Sequence, residues 1–187
     1  MQIFETTRIG FGPRMGAYLL DILLGGVFAS GFGIFIAFLG FGAGGVLGLA
    51  IDEQVELENS LKAIGVGAGI GAVMGMIGGC IIGYFIYSII EALTGASPAK
   101  MILGYKVANS DGSGGEISLY LKRWAVKNAS SVFSMLALVT GAIILQPLGS
   151  IIGFVVFLGC FLALGEDKQA LHDKVAKTAI FNKRNII

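Results

Sequence analysis

Charge is what this chain has least of. Only 13% of its 187 residues are Asp, Glu, Lys or Arg, against about 25% in soluble domains, and 55% are hydrophobic. A mean hydropathy of +0.84 excludes an ordinary soluble globule and points to an integral membrane protein. Histidine occurs once, as His172, so a His pair, an HExxH site and a His-cluster metal centre are all excluded. A serine or cysteine nucleophile would have to meet His172 in a basic tail, and nothing in the spacing brings one there. Cys80 and Cys160 both fall in apolar runs, where a small buried hydrophobe is the expected role rather than a disulfide or metal ligand. The glycine-rich turn at 111–115 lacks the GxxxxGK[ST] pattern of a phosphate loop. The expectation is therefore no enzyme, no cofactor, no metal and no nucleic-acid partner.

Long apolar runs are what the chain has in abundance. They cover about residues 15–40, 63–90, 129–146 and 148–164. The first two exceed the roughly 20 residues that cross a bilayer core of about 30 Å. The first is too long for a signal peptide and lacks a small-residue cleavage site, so it is expected to stay in the mature protein. Surplus glycines at 40–48 leave two readings open, a loosened helix end or a short re-entrant piece. Read as one helix, 129–164 would be about 54 Å long. Gln146-Pro147-Leu148-Gly149 near its middle is a turn signal, which predicts two short spans in a hairpin.

Charge placement orients these spans. Residues 52–62 carry Asp52, Glu53, Glu56 and Glu58 against one lysine, whereas the polar segments 94–128 and 165–187 are basic. The positive-inside rule puts both basic segments and the N-terminus, with Arg8 and Arg14, in the cytoplasm. That needs an even number of crossings, and four are predicted. The fold class expected is an all-α membrane protein: a single domain over 1–187, a bundle of about four transmembrane helices, and a small cytoplasmic membrane-proximal module.

Between residues 15 and 51 the one charged residue is Asp21. A lone carboxylate in an apolar span costs several kcal/mol if it faces hydrocarbon, so it must face protein or water and marks a candidate site. Arg14 lies two turns back on the same helical face, within reach of headgroups. Gly67, Gly71, Gly75, Gly79 and Gly83 recur every fourth residue through the second run, and Tyr87 and Glu91 continue the series. Ala17, Asp21, Gly25, Ala29, Gly33 and Ala37 form a weaker counterpart in the first. Such ridges let helices pack at close range in lipid. The sequence leaves open whether they pack within one chain or between copies. Four short helices enclose little interior, which favours a homo-oligomer.

In the polar segments, 101–108 and 178–181 read as short strands, 109–115 as a turn, and Lys122-Arg123-Trp124 as a basic interfacial stretch with an aromatic anchor. Headgroup contact is the expected role of most of the lysines.

Taken in order, these residues resemble the RDD family, small bacterial membrane proteins named for one arginine and two aspartates. Arg14 and Asp21 match its first-helix pattern, and Asp173 in Leu171-His172-Asp173-Lys174 resembles its second aspartate. Glu91, then Gly95-Ala96-Ser97-Pro98-Ala99-Lys100 and Gly104, resemble the segment between, and Arg123 stands where the family often has an arginine before its next span. Two departures stand out. Ser97-Pro98-Ala99 replaces the usual Thr-Leu-Gly, which implies a different loop backbone. Lys106 replaces a common arginine, which weakens any bidentate contact there. The resemblance implies a multi-pass protein of the bacterial inner membrane with both termini cytoplasmic. It also implies one candidate activity, because at least one member is reported to exchange a monovalent cation for a proton.

Two functions follow as expectations. The first is a Na⁺/H⁺ antiporter in which Asp21 is the shared ion and proton site, Glu91 a second carboxylate, and Arg14, with Lys100, the source of the local field. The second is a non-catalytic scaffold whose glycine ridges and basic module bind other membrane proteins or anionic lipid. A third possibility for Asp21 itself is structural, as an ion-pair partner or helix cap.

Overall fold

A computed structural model describes residues 7–51 and 57–186. Its elements are α1 (Phe11–Ile51), α2 (Leu57–Thr94), α3 (Pro98–Ile102), β1 (Tyr105–Asn109), α4 (Ile117–Lys127), α5 (Ala129–Thr140), α6 (Leu145–Cys160), α7 (Leu171–Ala176) and β2 (Thr178–Asn182). Asp52, Glu53 and Glu56 lie outside the described residues. Among the described residues, three stretches are long and apolar enough to cross a membrane: Phe11–Gly48, Ser60–Thr94 and Leu145–Leu164. These runs are helical because a backbone in hydrocarbon must satisfy its hydrogen bonds within the segment. The chain divides into two compact units, one being Ile22–Ser88 and the other the chain up to Asp21 and from Ile89 onward.

Within Ile22–Ser88, α1 and α2 run antiparallel and touch backbone to backbone. A Cβ on Gly75 would lie 2.7 Å from the Ile36 carbonyl oxygen, one on Gly79 would lie 2.8 Å from Gly33 Cα, and one on Gly83 would lie 3.1 Å from Ala29 Cα. Gly71 meets Gly40 and Gly67 meets Gly44 more closely still, carbonyl against α-carbon. The glycine ridge of α2 thus faces α1 of the same chain. Gly40, Gly44 and Gly48 are part of this contact, so 40–48 is regular helix rather than a loosened end or a re-entrant piece. The positions used on α1 step by four to Ala37, then by three to Gly40, then by four again. A four-residue step over-rotates by about 40° and a three-residue step under-rotates by about 60°, so the single short step returns the stripe to its partner. Large apolar side chains such as Val27, Phe38 and Met74 point outward, as lipid-facing residues do.

In the other unit, α5 and α6 form the predicted hairpin, but its turn lies elsewhere. Gly141, at φ 69°, ends α5, and α6 begins at Leu145. Gln146 and Pro147 therefore belong to the first turn of α6, where a missing N–H leaves nothing unsatisfied. Gly149 and Gly153 seat α6 against Ser130 and Phe133 of α5. At 12 residues, α5 is only about 18 Å long. The residues around the turn, Leu138, Val139, Ile143 and Ile144, are apolar and exposed.

The polar segments fold together in this same unit. β1 and β2 pair antiparallel with Val107 opposite Ile180, and Ile9 N–H donates to the Ile180 carbonyl at 2.7 Å. Val107, Tyr120 and Ile180 form a small core. The strand expected from 101 starts only at Tyr105, after Gly104 at φ 73°. Met101 and Ile102 belong to α3 instead, because Ser97 caps that helix and Pro98 sits in its first turn. Proline at that position needs no donor. Lys122-Arg123-Trp124 lies within α4, and Arg123 is buried rather than interfacial. Lys106 lies over the Tyr120 ring, 5.9 Å from its centre.

Candidate functional site: a buried charge cluster

The first turns of α1, the last turn of α2, and helices α3, α4 and α7 bring their charged residues to one place. Arg14 donates to Asp173 Oδ2, to the Ile9 carbonyl at 2.8 Å and to the Lys168 carbonyl at 2.6 Å. Its carboxylate partner is thus Asp173, 159 residues away, and not its helical neighbour Asp21. Arg123 donates through Nε to Asp173 Oδ1 at 2.7 Å and through a terminal nitrogen to Glu91 Oε1. Lys100 Nζ reaches the same Oε1, and Lys127 Nζ reaches Oε2 at 2.6 Å. The chain of contacts runs Arg14, Asp173, Arg123, Glu91, and then Lys100 and Lys127. Glu91, Lys100, Arg123, His172 and Asp173 are all buried.

Each of these charges is costly to bury alone, and the pairings offset that cost. Burial works against the Arg123 guanidinium, yet Asp173 and Glu91 hold its pKa above the ordinary arginine value. Burial likewise opposes ionisation of Asp173, and Arg123 and Arg14 hold it well below the usual carboxylate range. Lys127 is pressed down by burial and raised on balance by Glu91. Lys100 behaves differently: burial outweighs the pull of Glu91 and lowers it to about 8. Burial, with Arg123 adding to it, brings His172 down to about 3, which leaves the ring neutral. A guanidinium can only donate, so His172 Nε2 accepts from Arg123 at 3.1 Å and the ring proton sits on Nδ1. That Nδ1 is buried with no hydrogen-bond partner among the described residues.

Asp21 takes a different part. Its Oδ2 accepts from Ser97 Oγ at 2.6 Å and its Oδ1 from Ala99 N–H at 3.2 Å, so it caps α3 together with Ser97. α3 is the element that presents Lys100 to Glu91. Asp21→Asn replaces a charged acceptor for the Ala99 N–H and Ser97 hydroxyl with a neutral amide and is expected to lower stability by about 1 kcal/mol. Thermal unfolding in detergent measures this. Unchanged stability with activity lost would return Asp21 to the role of ion site.

The two family glycines serve the same geometry. Gly95, at φ 75°, donates to the Glu91 carbonyl at 3.0 Å and ends α2, and a Cβ there would fall 2.5 Å from the Tyr120 ring. Gly104, at φ 73°, turns the chain from α3 into β1. Two residues that the sequence did not single out belong to the cluster. Lys127 lies four residues after Arg123, hence on the same helical face, and that spacing was the available signal. Ser97 before Pro98 was readable as an N-cap followed by a first-turn proline. Among the described residues, no group of His, Cys, Asp and Glu has the geometry to hold a metal ion.

Residues 8–177 match the RDD family, and the chain belongs to it. Comparison with curated proteins and with solved structures returned no match.

Proposed function

Starting from membership of the RDD family, we propose that this multi-pass membrane protein exchanges a monovalent cation, Na⁺ foremost, for a proton at the buried carboxylate Glu91. One observation carries the reading. A carboxylate in the last turn of an apolar helix is shared by three basic groups, one of which holds its proton weakly. A group that binds either a proton-bearing ammonium or a small cation is what one-for-one exchange requires. Asp21 then positions the site rather than forming it.

The reading places four crossings in the membrane, with α5 and α6 as a hairpin. α5 follows directly on α4, and the end of α6 returns to α7, where Gly159 lies against Leu171. A hairpin that leaves and re-enters one module, itself basic, agrees with both polar segments and both termini on the cytoplasmic side.

Two observations favour exchange over the scaffold alternative. The α2 glycine ridge is occupied by α1 of the same chain, so it does not offer itself to a partner. Lys100 and Arg123 are buried on Glu91, and Lys127 is bound there too, so these three are not a headgroup-binding patch. The test is purified protein in liposomes with an imposed Na⁺ gradient and an internal pH dye. Sodium-dependent proton movement is expected. Its absence under Na⁺, K⁺ and Li⁺ gradients alike would overturn the reading.

A further inference from the structure

We propose that Lys100 is the proton carrier of this cluster, leaving Glu91 as a neutral amine when a monovalent cation arrives. The inference rests on the exchange reading above and names the group that reading leaves open.

Charge balance comes first. The cluster gathers the bases Arg14, Lys100, Arg123 and Lys127 against the carboxylates Asp21, Glu91 and Asp173. His172 beside them is neutral. One basic group is therefore in surplus, and loss of one proton brings the buried charges into balance. Arginine does not give up its proton in the working pH range, which removes Arg14 and Arg123. Lys127 has a third of its side chain exposed, and Glu91 raises its pKa. Lys100 has only 8% of its side chain exposed and is the one lysine of the two that burial has lowered.

Placement agrees. Lys100 competes with Arg123 for a single oxygen, Glu91 Oε1, so its departure leaves Glu91 held by Arg123 and Lys127. Its backbone is fixed independently, because its N–H donates to Ser97 Oγ at 3.4 Å and Ser97 donates to Asp21. The amine can lose its proton while the helix stays in place. In the step itself, a Lys100 N–H bond breaks, the electron pair remains on Nζ, the proton passes to water, and the cation takes the vacated place at the Glu91 carboxylate. The net charge is the same with a proton bound as with a cation bound, so the two states exclude each other without changing the cluster's charge.

The test is thermal unfolding of the full chain in detergent from neutral pH to beyond 10, for wild type, Lys100→Met and Lys100→Arg. In the unfolded chain a lysine keeps its proton up to 10.5, while folded Lys100 releases it from about 8. The unfolded state then binds more protons across that window, so stability rises with pH there. Wild type is expected to gain a few degrees in Tm over both variants between these values, and both variants are expected to lose sodium-dependent proton flux in liposomes. Lys100→Arg keeps the charge and carries the comparison if Lys100→Met does not fold. Parallel pH profiles in wild type and variants, or flux retained in Lys100→Arg, would overturn the inference while leaving the exchange reading standing. A rising wild-type profile without flux under any cation gradient would overturn the exchange reading and the carrier role with it.

Discussion

Gly71→Ile should prevent α1 and α2 from packing, at a loss of about 3 kcal/mol or more. Its Cβ would land on the Gly40 carbonyl oxygen, which belongs to backbone and cannot rotate away. The helices would have to separate, and every glycine contact along the pair would loosen together. Gly69→Ile is the matched control, two residues earlier on the same helix, where a Cβ meets nothing within 4 Å. It should change stability by well under 1 kcal/mol, apart from the small gain that any residue has over glycine in a helix. Unfolding of both variants in detergent, scored with the yield of inserted protein, decides the matter. Equal tolerance would mean that the backbone contact between α1 and α2 does not hold in the folded protein.

The second large effect is expected at Arg123. Its side chain touches both Glu91 and Asp173, and it also donates to His172. Arg123→Met removes a buried charge from between two buried carboxylates, a change that costs about 3–5 kcal/mol when one partner of a buried pair is left behind. Asp173 would keep Arg14, and Glu91 would keep Lys100 and Lys127, so the loss falls short of unfolding both contacts. Adding Asp173→Asn to Arg123→Met should cost less than the sum of the two single losses, because both changes remove the same contact. Arg123→Lys should recover little, since a single ammonium cannot span two carboxylates as a planar guanidinium does. Chemical or thermal unfolding of the three variants is the measurement. Additive losses in the double variant would show that Arg123 and Asp173 are not coupled.

Much of the architecture was legible because it follows from repeating patterns. Apolar runs gave the long helices, and the four-residue glycine period gave the face on which α2 packs. What periodicity could not supply was the partner, and here the answer lay in Gly40, Gly44 and Gly48, which looked like helix breakers in isolation. The hairpin was legible from its turn signal, but Pro147 marks the start of α6 rather than the turn, because proline fits a first helical turn as well as it fits a loop.

The site was legible residue by residue and not as a set of pairs. Arg14 and Asp21 share a helical face, which made them look like partners, yet a long arginine at a helix start reaches outward and meets Asp173 from the far end of the chain. Tertiary pairing of this kind has no local signature. Arg123 and Lys127 looked like headgroup contacts because a basic segment beside a span usually makes them. Only folding shows that the same segment wraps a glutamate.

The proposed competition of a cation and a proton for one buried carboxylate can be tested without a membrane. Purified protein in detergent, lightly buffered near neutral pH, is mixed with sodium chloride or with choline chloride at equal ionic strength, and proton release is followed with a pH dye. Acidification in proportion to protein is predicted with sodium, none with choline, and none with sodium in Lys100→Arg. Absence of sodium-specific release would contradict it, and the same release from Lys100→Arg as from wild type would contradict the carrier role of Lys100 alone.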